Sequence, residues 1–137
     1  MTKYEVNIRV LNEIAEEYEA WLDQHIKEIL KIDGFFSAEW FEVEEDKEAK
    51  EIEEAVRQAV RLDESVPVDI REAAAAPVET KHYSIQYRLI DRDSLDSYFT
   101  YHAEQLRQDG FDRFGSKFAV TRRIMKLYRI YDAEAEK

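Results

Sequence analysis

Two alternating segments, each followed by an amphipathic helix, limit what this chain can fold into. Over Lys3 to Leu11, Tyr4, Val6, Ile8 and Val10 alternate with Lys3, Glu5, Asn7 and Arg9. Over His82 to Ile90, Tyr83, Ile85, Tyr87 and Leu89 alternate with His82, Ser84, Gln86 and Arg88. A period of two places each set on its own face, so both segments predict half-buried strands. After the first, Ile14, Tyr18, Trp21, Leu22, Ile26 and Ile29 form one stripe of a helix. Asn12 is placed to cap it, and Glu13, Glu16 and Glu17 at its start with Lys27 and Lys31 at its end suit the helix dipole. Asp33-Gly34 ends that helix, and "FFSAEWFEV" predicts a strand. After the second alternating segment, Asp91 or Asp93 caps a helix containing "LDSYFTYHAEQL". It aligns Leu95, Tyr98, Phe99 and Leu106, with His102 among them, and Gly110 is expected to end it. "KFAVTRRIMKLYRIY" predicts a final strand and "DAEAEK" an acidic tail.

Strand, helix, strand therefore occurs twice, which is the split β-α-β repeat of the ferredoxin-like fold. The expectation is an α+β chain with an antiparallel sheet and two helices on one face. Residues 1–137 read as a single domain, and 137 residues suffice for one core without a disulfide or metal. Residues 45–78 read as an insertion between the halves. Ala49, Ile52, Val56, Ala59 and Val60 recur there at helical spacing. Val66, Pro67, Val68 and Ile70 suggest an extended piece, and the following alanines a short helix that Pro77 stops. The insertion is either a lid or docking helix, or an elaborated loop lying on its own domain.

"FFSAEWFEV" reads as apolar on both faces, with Phe35, Phe41 and Val43 on one side and Phe36, Ala38 and Trp40 on the other. Such a strand needs a cover on the sheet's open face. The simplest cover is a second copy, so a homodimer of the dimeric α/β-barrel type is expected.

Several classes are excluded on composition. The chain has no cysteine, which removes disulfides, thiolate metal sites and thiol nucleophiles and fits a cytoplasmic setting. No run approaches the ~20 apolar residues of a membrane span. A net charge of −11 opposes nucleic-acid binding. The local basic cluster Arg113, Lys117, Arg122, Arg123, Lys126 and Arg129 is expected to face acidic segments of its own chain. The three histidines show no H-x-x-x-H spacing, and glycine-rich phosphate loops and G-x-S-x-G are absent, so no metal, nucleotide or hydrolase site is read.

"YEVNIRV", "HIKEILKIDGFFSAEWFEV" and "YSIQYRLIDRDSLDSYFTYHAEQLRQDGFDRFGSKFAVTRRIM" together resemble a bacterial family of unknown function. That family is similar in turn to the dimeric α/β-barrel proteins, which include the antibiotic-biosynthesis-type monooxygenases. The resemblance implies the fold, a dimer and, at most, a cofactor-independent monooxygenase-like activity. Some barrel proteins degrade haem with an asparagine on the first strand, a tryptophan on the third and a histidine on the second helix. Asn7 and His102 match two of these roles as candidate catalytic residues. The third has no match, because the third strand ends "QYRLI" and the tryptophans are Trp21 and Trp40.

Arg88, Gln86, Arg9 and Trp40 are the candidate ligand contacts. Amide and guanidinium donors near aromatic walls suit a small aromatic or other hydrophobic molecule bearing oxygen. The same polar groups can instead pair across strands and across a dimer interface, and His102 can be a packed core residue. Two functions remain open, a ligand-binding barrel and a non-catalytic dimer whose insertion helix docks a protein.

Overall fold

The computed structural model describes residues 1–75 and 79–134, with side chains undescribed at 73–75. Its elements are β1 (Thr2–Leu11), α1 (Ala15–Ile29), β2 (Phe35–Glu42), α2 (Lys47–Leu62), α3 (Val68–Ala75), β3 (Thr80–Leu89), α4 (Arg92–Tyr101), α5 (Ala103–Phe114) and β4 (Phe118–Lys126). All strand pairings are antiparallel, and the sheet order is β2-β3-β1-β4. This is the α+β ferredoxin-like arrangement expected from the repeat.

Alternation in β1 and β3 survives intact. Tyr4 pairs with Tyr87, Val6 with Ile85 and Ile8 with Tyr83, so like faces like across the two central strands. Their apolar faces meet Tyr18, Leu22 and Ile29 of α1 and Leu95 and Tyr98 of α4 in one buried core. Ile85, Leu89, Leu95 and Val10 are completely buried. Each such side chain contributes on the order of 1.5–3 kcal/mol relative to exposure.

Four local expectations are corrected. A bulge between Phe35 and Ser37 shifts β2 by one residue. Phe35, Ala38 and Trp40 then lie opposite Leu89, Tyr87 and Ile85 on the helix side, and Ser37, Glu39 and Phe41 lie on the open side. Asn12 begins a short 3-10 turn and makes no cap; its side chain donates to Glu79 Oε2 at 3.3 Å. The second long helix breaks at His102 (φ −129°, ψ −36°) into α4 and α5, and α5 runs through Gly110 to Phe114. Gly115, at φ 58°, ends it. The last strand stops at Lys126, and residues 127–134 form no regular element.

Gly34 follows α1 at φ 94°, where a Cβ would lie 2.3 Å from the Ser94 Cβ. Asp91 caps α4 through Ser94 N at 2.8 Å, so the turn before β2 and the start of α4 are fitted to each other.

The insertion folds as α2 and α3, which pack on each other, and α2 buries no residue. The expected extended piece from Val66 to Ile70 is helical from Val68 onward. The expected stop at Pro77 and the tail beyond residue 134 lie outside the described residues.

Candidate functional site

The two faces of the sheet have different chemistry. On the open face, Glu5 is buried. Ser84 Oγ donates to Glu5 Oε1 at 3.2 Å, and Arg123 Nε donates to Glu5 Oε2. The Arg123 guanidinium holds the Glu5 carboxyl below the ordinary carboxylate range, against the opposing effect of burial. Lys3 donates to Gln86 at 3.2 Å, and Arg88 pairs with Glu39 at 3.2 Å. Arg9 lies 3.9 Å from Glu45, whose other oxygen takes Lys50 at 2.7 Å. Asn7 sits opposite Ser84 and Thr121 on this same face. Three groups expected to meet a ligand here are already paired within the protomer: Gln86 with Lys3, Arg88 with Glu39 and Arg9 with Glu45.

Between the sheet's other face and the helices lies a cavity of about 340 Å³. β1 contributes Tyr4, Val6 and Ile8, and β3 contributes Ile85 and Tyr87. α1 supplies Tyr18, Trp21, Leu22 and His25, α4 supplies Tyr98, and α5 supplies Arg107, Gly110 and Phe111. Phe118, Val120 and Arg122 complete it from β4. The aromatic side chains form two clusters. The Tyr4 ring lies 6.0 Å from Tyr87, 6.1 Å from Tyr98 and 5.4 Å from Phe99, and Tyr18 lies 5.2 Å from Phe118.

Polar groups enter at defined points. Arg107 Nη2 donates to the Tyr4 hydroxyl at 3.2 Å while its guanidinium lies over the Phe99 ring at 5.7 Å. Trp21 Nε1 donates to Asp109 Oδ2 at 2.8 Å, which fixes the indole, and His25 stacks on that indole at 4.5 Å. Burial pushes the His25 pKa down to about 4, with Asp109 opposing and Arg122 reinforcing. Burial pushes the phenols of Tyr18 and Tyr87 well above their usual value and Tyr98 up to about 12. These hydroxyls stay protonated at neutral pH.

The expected site residues divide among three places. Asn7, Gln86, Arg88 and Arg9 share the open face. Trp40, brought to the opposite side by the bulge, packs edge-on against Tyr83 at 5.5 Å. His102 is exposed at the α4–α5 junction, in shallow surface grooves with Ser94, Gln105 and Asp33, so it joins neither the core nor the cavity. The structure does not bring His102 and Asn7 together. No group of three or more metal-ligating side chains occurs among the described residues.

The cavity's tyrosines were legible only as core, since they obey the same alternation as Ile85 and Leu89. Arg122 left a sequence signal: adjacent Arg122 and Arg123 on a strand must occupy opposite faces, and one of those faces is apolar. Arg123 takes the open face beside Glu5, and Arg122 takes the helix face opposite Val6.

The family model described as "Domain of unknown function (DUF4286)" matches residues 1–128. The chain belongs to the DUF4286 family. No curated protein matches it. Among solved structures, this DUF4286 chain is similar to a variant of SnoaB, described as a cofactor-independent oxygenase from Streptomyces nogalater. The TM-score is 0.56 at 9% identity, covering 94% of this chain and 95% of that one. It is similar also to a candidate antibiotic biosynthesis monooxygenase from Deinococcus radiodurans, with a TM-score of 0.57 at 10% identity, covering 98% and 100%. At such identities the likeness establishes a shared fold, and function rests on the site. No helix among the described residues is long and apolar enough to cross a membrane.

Proposed function

We propose that this DUF4286 protein is a homodimer that holds a small aromatic or other hydrophobic molecule between its sheet and its helices. The observation that carries the reading is the 340 Å³ aromatic cavity with its few polar entries, within the size range of small-molecule sites. A cofactor-independent monooxygenase-like activity on that molecule is the most the shared fold with SnoaB supports. Asn7, Gln86, Arg88 and Arg9 serve the dimer face in this reading, and the cavity contacts are Tyr4, Tyr98, Arg107 and Arg122.

Dimerisation through the open face draws support from edge strand β2, where Phe41, on that face, remains 44% exposed and Phe36, at the bulge, 50%. An exposed aromatic edge is a template for pairing, and the polar groups beside it are already satisfied within the protomer, so covering them strands few charges.

Titration with the neutral fluorophore N-phenyl-1-naphthylamine tests the ligand reading. Saturable binding that disappears when Val120→Trp fills the cavity supports it, and absence of saturable binding overturns it.

A second reading has its own observation. α2 leaves Ile52 and Val56 each 59% exposed, and Leu62, Val68 and Ile70 are exposed near them in the insertion, which suits a helix that docks a protein partner.

A further inference from the structure

The cavity holds two cations and no acid. In a chain with 31 acidic and 20 basic residues, none of the cavity's lining residues is Asp or Glu, while Arg107 and Arg122 both line it. Elsewhere the arginines are widely paired. Arg9, Arg57, Arg88, Arg92, Arg113 and Arg123 each have a carboxylate within 4.0 Å, whereas Arg107 and Arg122, like the insertion's Arg61 and Arg71 and the C-terminal Arg129, form no ion pair among the described residues. Arg107 instead reaches a phenol and an aromatic face. Arg122 occupies a helix-facing position between Val120 and Ile124 on edge strand β4, where its side chain is exposed at the cavity's mouth.

Resting on the ligand reading above, we propose that the cavity's ligand is an aromatic anion. Its ring lies against Tyr4, Tyr87 and Phe118, and its carboxylate or other acidic oxygens are held at the mouth by Arg107 and Arg122. A guanidinium can bind such a group bidentately through a planar fork. The Tyr98 phenol is positioned as a further neutral donor, and Tyr4, already accepting from Arg107, can donate its own proton. An apolar slot with unpaired cations at one end discriminates between anionic and neutral rings of the same shape, because a neutral ring leaves both guanidinia without a counter-charge. The protein's net charge of −11 repels anions in general, so the selectivity is local to this mouth.

The test uses displacement of bound N-phenyl-1-naphthylamine by 1-naphthoate and by 1-naphthalenemethanol, which match in ring and size but differ in charge. In the wild-type protein 1-naphthoate displaces the probe at about one tenth of the alcohol's concentration, a difference of about 1.4 kcal/mol. Within each variant the ratio falls towards one for Arg107→Met and Arg122→Met and is largely retained for Arg107→Lys and Arg122→Lys. Reading a ratio inside one protein removes any change in overall stability. If the alcohol displaces the probe as well as the acid in the wild type, the anion proposal is overturned and the cavity reading stands. If the probe itself does not bind, both fall together.

Discussion

The backbone of Gly110 lies against the indole of Trp21, so closely that a Cβ at position 110 would come within 2.9 Å of Cη2. Both residues line the cavity, and the contact sets how near α5 approaches α1. Trp21 has little room to yield, held by Asp109, stacked on His25 and packed edge-on to Phe114 at 5.9 Å.

Gly110→Ala is therefore expected to destabilise the fold despite gaining about 1 kcal/mol of helix propensity. Displacing a packed ring costs about 1–3 kcal/mol, for a net loss near 1 kcal/mol. Urea denaturation at neutral pH measures it. A variant more stable by the full propensity gain would show that the indole moves freely.

Phe41→Glu places a charge on the open face at edge strand β2, far from the cavity. For the proposed dimer the expected outcome is a dissociation constant raised by at least about 100-fold, the loss of one buried aromatic anchor, while the protomer stays folded. Light scattering coupled to size exclusion reads the outcome. A wild-type protein that elutes as a monomer at micromolar concentration removes the dimer from the proposal.

His25 makes stability depend on pH in a stated direction. Its pKa falls from an ordinary 6.5 to about 4 in the folded protein, chiefly through burial beside Trp21. Between these values the unfolded chain binds the proton and the folded protein does not. Stability therefore falls as pH drops from about 6.5 towards 4, and no further loss from this group follows below 4. His25→Phe keeps a ring on Trp21 and removes the titration. The difference in stability between variant and wild type, measured by urea denaturation at pH 7 and pH 4.5, shifts in the variant's favour at the lower pH. Parallel pH profiles would show that His25 is solvated in both states.

Strands β1 and β3 were legible because each sits in the sheet's centre with a constant environment on either face, so burial writes itself as strict alternation. β2 was legible as a strand but its faces were not, because a bulge inserts one residue without changing composition, and "FFSAEWF" offers aromatics to whichever face the register selects. The break at His102 was equally hidden, since Phe99, Ala103 and Leu106 keep helical spacing across it. Gly110 was read as a helix end when its small size serves the approach to Trp21, and Gly115 does the ending. The cavity escaped notice because a tyrosine that lines a hollow and one that fills a core have the same sequence pattern. Resemblance to the haem-degrading barrels directed attention to Asn7 and His102, but in this chain one lies on the open face and the other on the surface of the helical layer.

The ligand site between sheet and helices is tested most directly by methyl NMR of Ile, Leu and Val side chains during titration with 1-naphthoate. The account predicts saturable shifts concentrated at Ile8, Leu22, Ile85 and Val120 around the cavity. Shifts confined to Ile52 and Val56 of α2, or none at millimolar ligand, would contradict it.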